Sequence, residues 1–555
     1  MSLEPDEGAE ALASDIPRNT SSRFLRNTAT MSVGITLSRL TGFLRLSAMA
    51  FAIGVAETRL ADAYNVANNT PNIVYELVLG GVLTSVFVPV FVEWLQQHGR
   101  KEANEVARRV FTLATIVLTV IMLVGIVAAP VIVRLYTLRV TGPGAEAERA
   151  LATFFLRWFM PQIVFYGIGA IANGLLNANG RFAATMFAPI LNNVIVIGTF
   201  LAFAAMHGPG VPTPDGLTTA QRYVLALGTT AGVIAMTLAL WPSLRKTGFR
   251  FAWRPDATHP AVRRIGKLAS WTFLYVAANQ LGLFVVIVLA AGARGYTVYF
   301  DAFILFQLPH AIFAVAIFTA LLPAMSSRWV AGDRDGFRNL LSQGLRATGF
   351  VLIPAAFGYM VLAVPIVRLV IQHGGATTPQ DASRVADALV FFSFGLFSYS
   401  AFQLLLRAFY AMQDSKTPAL INVASFVVNT ATNLLFFFAL GLEVRGLALG
   451  LAAAYTFASV VAVLILRRRL GGMNGREIVR GLTKVLAAGV VTAAAAWLTS
   501  RLMESALGVS TVLTQGAQVL LSVAIGLLVF VAMALLLRME ELSLITTSLR
   551  SRFRR

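Results

Sequence analysis

About fourteen apolar runs, most of them at or above the roughly 20 residues that cross a bilayer as a helix, divide this 555-residue chain. A chain patterned in this way has few folds open to it, because each run must satisfy its own backbone hydrogen bonds in hydrocarbon and therefore becomes a helix. The runs fall at 31–54, 62–95, 110–137, 150–178, 183–206, 222–242, 267–292, 299–325, 345–371, 385–411, 419–440, 446–466, 483–500 and 513–537. The second and fourth exceed what a bilayer needs, which predicts tilt or a kink there. With 57% hydrophobic and only 13% charged residues, the chain lies outside the range of soluble enzymes. The fold class read from this pattern is an all-α polytopic membrane protein.

Basic residues exceed acidic ones by 19, but they punctuate the apolar runs instead of forming one face of a soluble domain. Nucleic acid is therefore not an expected partner; anionic lipid headgroups are. One set of loops carries Arg100, Lys101, Arg108 and Arg109, then Arg245 through Lys267, then Arg467, Arg468 and Arg469, while alternate loops carry one or two cations, such as Arg59, Arg294 and Arg501. By the positive-inside rule both termini are cytoplasmic, in keeping with an even number of spans. Residues 1–20 are polar and acidic without an apolar core, so they read as a disordered tail, and the first span is expected to direct insertion.

The chain also repeats itself. "NGLLNANGRFAATMFAPILNNVIVIG" (173–198) is echoed by "RAFYAMQDSKTPALINVASFVVNT" (407–430), and "DAYNVANNTPN" (62–72) by "DAFILFQLPH" (301–310). Echoes about 235 residues apart imply two six-helix lobes and a surplus C-terminal pair, the organisation of alternating-access transporters. The expected divisions are a tail at 1–21, a first lobe at 22–242, a basic linker at 243–266, a second lobe at 267–466, and two added helices with a basic tail at 467–555.

Inside the first span, "SRLTGFLR" (38–45) places Arg39 and Arg45 within roughly 5 Å of the midpoint near Gly42, at 1.5 Å per residue. Insertion scales charge about 2.5 to 3.5 kcal/mol for each, and either headgroup layer is farther than an arginine reaches comfortably. Both are expected to face an interior cavity, with Gly42 allowing a bend that turns them into one space. Two guanidinium forks in a wet cavity suit a phosphate or diphosphate; the alternative is neutralisation by Asp62 and Glu76. In the next span Asn68, Asn72 and Glu76 are spaced by four and form one polar stripe suited to a cavity wall, beside Asp62, Asn65 and Asn69, with Pro71 interrupting the hydrogen-bond ladder. Gly80 and Gly81, near Thr84 and Ser85, suit close helix packing. The second-lobe counterpart of Ser38 and Arg39 is Asn279 and Gln280, so the anion site belongs mainly to the first lobe. Asn422, Asn429, Thr430, Thr432 and Asn433 suit either a coupling cation or hydrogen-bonded packing, and without a carboxylate the packing reading leads.

Catalytic chemistry finds no support. The chain has no cysteine and five scattered histidines, without metal-ligand spacing, a phosphate-binding glycine loop or a nucleophile elbow. No cofactor is expected, no metal site either, and the identity of any coupling ion stays open.

Together "LSRLTGFLR", "DAYNVANNTPN", "GGVLTSVFVPVF", "LPHAIFAVAIFTALLPAMS" and "AFYAMQDSKTP" resemble the MurJ/MviN family of lipid II flippases, within the multidrug/oligosaccharidyl-lipid/polysaccharide exporter superfamily. The resemblance spans residues 22 to 540. It implies a bacterial inner-membrane protein whose cargo is lipid II or a similar undecaprenyl-diphosphate lipid, with cell-wall synthesis proteins as partners and the last two helices lining a groove for the lipid tail. It maps the family's cavity arginines onto Arg39 and Arg45 and its aspartate onto Asp62. Two positions depart from it: Tyr75 and Glu76 stand where many members carry an arginine, and Ile304 stands at another. A polysaccharide-repeat-unit flippase, a cation-coupled small-molecule exporter and a noncatalytic scaffold are the competing readings.

Overall fold

The computed structural model describes residues 18–56, 59–77, 88–208, 210–373 and 376–542. The tail 1–17, the Gly80–Gly81 pair with Thr84 and Ser85, and the basic end 543–555 lie outside the described residues. Every described regular element is helical: α1 (Arg18–Ile53), α2 (Leu60–Tyr75), α3 (Val88–Gln97), α4 (Gly99–Tyr136), α5 (Ala145–Phe159), α6 (Gln162–Ala178), α7 (Phe182–His207), α8 (Thr219–Leu238), α9 (Trp241–Arg245), α10 (Pro260–Gly292), α11 (Tyr296–Pro309), α12 (Val315–Val330), α13 (Arg334–Ile371), α14 (Pro379–Ser393), α15 (Leu396–Ala411), α16 (Lys416–Leu434), α17 (Glu443–Leu470), α18 (Gly475–Leu507) and α19 (Val512–Leu536). Among the described residues helix occupies every position marked by an apolar run.

Among the described residues, ten helical stretches are long and apolar enough to cross a membrane, or eleven when the pair α14 and α15, bent by 48°, counts as one. Three expected spans fall below that mark: the first carries Arg39 and Arg45, the second includes residues 78–87, which lie outside the described residues, and within α10 Asn279–Gly292 is a shorter apolar helix. The chain is thus a multi-pass membrane protein. Large aliphatic side chains stand exposed in rows, Val124, Val127 and Val131 on α4 and Leu520, Leu527 and Leu528 on α19, which water would penalise and lipid does not.

Several expectations need adjustment. α1 begins at Arg18, inside the stretch expected to be a disordered tail, and it runs unbroken through Gly42. The glycine serves contact instead of bending: a Cβ there would sit 3.6 Å from Asn193 Nδ2, and that amide donates to Ser38 O at 3.2 Å and Thr41 Oγ1 at 3.0 Å, tying α7 to α1. Helix α2 continues through Pro71; proline inside membrane helices is tolerated when neighbouring groups take up the freed backbone atoms. The long fourth span does break, between Phe159 and Gln162 at Met160–Pro161, as its excess length predicted. The basic linker is shorter than expected, because α9 extends to Arg245 and α10 starts at Pro260 with His259 Nδ1 accepting from Ala261 N–H.

α1 packs on α7, α7 on α8 and α2 on α5, while in the second half α13 packs on α14 and α18, and α16 on α17. The C-terminal pair α18 and α19 lies against α13. In the first half the core centres on Tyr64, whose ring meets Phe155, Phe159 and Phe200 edge-on at 5.8, 5.5 and 5.4 Å. The turn before α16 is held by Asp414, which accepts from Thr417 N–H at 2.9 Å and from the Arg469 guanidinium. Burial pushes this carboxyl up, but those donors outweigh it and bring the pKa down to about 2.

Candidate functional site

Between the two halves of the chain lies a cavity of about 580 Å³. α1 contributes Ser38, Arg39 and Arg45, α2 contributes Asn65, Asn68, Asn69 and Asn72, and α11 contributes Tyr296, Asp301, Ile304 and Gln307. Arg39 is exposed and Arg45 half-buried, and among the described residues neither makes an ion pair or a hydrogen bond. The spacing of six residues on an unbroken helix puts them about 120° apart, yet both reach the same space. Neither Asp62 nor Glu76 pairs with them.

Asp62 is elsewhere. It is 1% exposed and outside the cavity lining. Its Oδ1 accepts from Thr297 N–H at 2.8 Å and its Oδ2 from Tyr296 N–H at 3.3 Å, so this carboxylate satisfies the orphan donors at the start of α11 and meets that helix's positive end. Sequence placed Asp62 among the cargo-binding residues; in this structure both of its oxygens are committed to backbone, outside the cavity lining. Nearby bonds join the same two halves, Asn65 Nδ2 to Thr297 Oγ1 at 3.1 Å, the Asn69 amide to the Tyr296 hydroxyl, and Thr377 Oγ1 to Ala50 O at 2.7 Å. These contacts join the two halves at the helix ends that carry the sparsely charged loops. Beside them Arg59 and Glu148 form an ion pair at 2.7 Å, each less than a tenth exposed.

Glu76, Asn279 and Gln280 line a second cavity of about 360 Å³, and Asn69, Asn72, Tyr296 and Phe300 belong to both. Of the stripe, Asn68 lines the first cavity, Glu76 the second and Asn72 both. In α16 the Asn433 amide donates to Asn429 Oδ1 at 3.1 Å and Thr432 Oγ1 donates to Val428 O at 2.8 Å. Among the described residues no cluster of three or more acidic or histidine side chains could hold a metal ion.

Sequence reasoning missed Asp301. It lines the first cavity at 0% exposure, and neither carboxylate oxygen has a hydrogen-bond partner. Its signal was present in the echo of "DAYNVANNTPN" by "DAFILFQLPH", where each segment opens on an aspartate. Asn193 was missed as well, because a single amide in the apolar α7 carries no periodic signature.

A family model described as "Lipid II flippase MurJ" matches residues 49–538, which is most of the chain. The chain belongs to the MurJ family. Relatives named as members of it include the probable lipid II flippase MurJ of Vibrio cholerae, 28% identical with 81% of this chain and 83% of that protein covered, and the lipid II flippase MurJ of Burkholderia cenocepacia, 30% identical with 78% and 82% covered. A MurJ structure titled "inward closed conformation" superposes with a TM-score of 0.72 at 21% identity, covering 92% of this chain and 98% of that one. An inward-facing multidrug-resistance MATE transporter of the MOP superfamily gives a TM-score of 0.64 at 15% identity, covering 81% and 99%. At those identities the two superpositions establish the fold alone. Within the MurJ family fold, the two positions where the sequence resemblance expected further arginines take other roles: Ile304 is an apolar stretch of cavity wall, and Tyr75 packs against Tyr166 with ring centroids 5.9 Å apart.

Proposed function

We propose that this chain is a flippase for lipid II, carrying the undecaprenyl-diphosphate-linked precursor from the inner to the outer leaflet of the bacterial cytoplasmic membrane by alternating access. The observation that carries the reading is the pair Arg39 and Arg45, unpaired among the described residues and facing a shared cavity at mid-span. A permanent cation placed there without an ion pair to a described carboxylate is stabilised by an anion that visits, and a diphosphate offers oxygens in the geometry of the guanidinium fork. The family membership supports the cargo.

In this reading the lobes are 22–242 and 267–466, the basic loops and both termini are cytoplasmic, and the closure by Asp62, Asn65, Asn69 and Thr377 is on the outer side. The cavity then loads from within. Rocking of one lobe against the other breaks that closure and reopens the cavity outward, while the lipid tail stays in the bilayer beside α18 and α19. A drug-cation exporter would place carboxylates where Arg39 and Arg45 stand, so the charge of the cavity favours the lipid-diphosphate cargo.

Complementation of a bacterial strain depleted of its own lipid II flippase tests this. The native chain is expected to restore growth, and Arg39→Ala and Arg45→Ala, at matched membrane levels, to fail, each weakening binding of the diphosphate about 10- to 100-fold through loss of charge-assisted bonds. Full rescue by both variants overturns the assigned roles.

A further inference from the structure

The two adjoining cavities differ in chemistry. The second carries four amides of its own, Asn279, Gln280, Asn422 and Asn429, with the rings of Tyr299 and Tyr455, no lysine or arginine, and one carboxylate, Glu76. Such a wall offers an anion no cation to pair with. An apolar guest would leave the amides unsatisfied.

We propose that the second cavity is a saccharide subsite, which recognises the sugar next to a diphosphate held by Arg39 and Arg45; this rests on the lipid-linked reading above. A sugar ring presents hydroxyl and N-acetyl groups around its edge and C–H groups on its faces. An amide side chain offers two donors and a two-lone-pair acceptor, so a ring of amides matches hydroxyls of either sense without the cost of stripping water from a charge. Aromatic rings supply flat apolar surface for the faces.

Two details of the wall point to a ligand. Gln280 Oε1 and Asn429 Nδ2, on side chains that line this cavity, are buried without a hydrogen-bond partner; unspent capacity of that kind is uncommon in folded proteins, and a turn of either amide offers it to a guest. Asn433 donates to Asn429 Oδ1 at 3.1 Å, which holds Asn429 with its Nδ2 group left over. Adjacency supplies the remaining argument. Asn69, Asn72, Tyr296 and Phe300 line both spaces, so a group covalently attached to a phosphate in the first cavity has the second as its immediate neighbour.

The test compares two probes on the purified full-length chain in lipid nanodiscs: undecaprenyl diphosphate, which has no sugar, and lipid II. Wild type is expected to bind lipid II at least about tenfold more tightly, the worth of one or two neutral hydrogen bonds with their buried partners satisfied. In Asn422→Ala with Asn429→Ala that preference falls to within about threefold while undecaprenyl diphosphate binds as before, and Asn422→Gln with Asn429→Gln recovers part of it. Arg39→Ala weakens both probes by a similar factor and keeps the preference. Equal affinity of wild type for the two probes overturns the subsite and leaves the diphosphate site standing. So does an unchanged preference in the alanine pair. Failure of wild type to bind either probe overturns the flippase reading, and the subsite with it.

Discussion

Three buried or half-buried charges in one small region show how context assigns a residue its work. Arg45 and Asp301 both line the cavity without partners, whereas Asp62 is consumed by the N–H groups of Tyr296 and Thr297. Asp62→Ala leaves those two donors without their acceptor in a dry site, a loss of about 1 to 3 kcal/mol, and it removes an anion from the positive end of α11. The loss should appear first at the closed end. A single cysteine at Asn65 in the otherwise cysteine-free chain is expected to react faster with a water-soluble maleimide when Asp62 is alanine; unchanged labelling would show that the closure does not depend on this carboxylate. Arg39 and Arg45 were legible from sequence because a permanent cation at mid-span has few places to go. Asp62 was legible as an important position but not in its role, since its partners are backbone atoms more than 230 positions away, where no side-chain pattern reports them.

At the level of elements, helix length and position followed from apolar runs, while the contacts that set helix against helix did not. Gly395, between α14 and α15, approaches α17 so closely that an added Cβ would lie 2.7 Å from Ala452 Cα. Gly125 on α4 looks worse by number, with Met160 Cε only 1.7 Å from the same construction, yet that atom ends a flexible side chain and can turn aside. Gly395→Ala is therefore expected to lower stability by roughly 1 to 3 kcal/mol and Gly125→Ala by much less, read as midpoints of thermal unfolding in detergent. Equal losses would mean that backbone proximity at Gly395 is relieved by a shift of the helix. The 48° bend between α14 and α15 sits at this same glycine, in the middle of what reads in sequence as one uniform apolar run from 385 to 411.

For the whole molecule the question is which end is shut. The hydrogen bond from Thr377 Oγ1 to Ala50 O, together with Gly54 set against Ala376 at φ 75°, brings the first and second halves together at the end away from the basic loops. Because the chain has no cysteine of its own, Ala50→Cys with Thr377→Cys can be oxidised without side reactions. The disulfide is expected to stop lipid II translocation in proteoliposomes by about tenfold or more, with recovery on reduction; undiminished translocation by fully cross-linked protein would show that this end need not open. Sequence by itself determined that the chain is a bundle of membrane helices with a cationic interior, since hydrocarbon forces helix on every apolar run and leaves a buried arginine no neutral form. Tertiary structure alone decided that Asp62 caps α11 while Asp301 is buried in the cavity wall, that Gly42 makes room for Asn193, and that an amide-lined space adjoins the arginines. Those are properties of surfaces brought together from distant parts of the chain, and the periodicity of any single helix is blind to the helix it will meet.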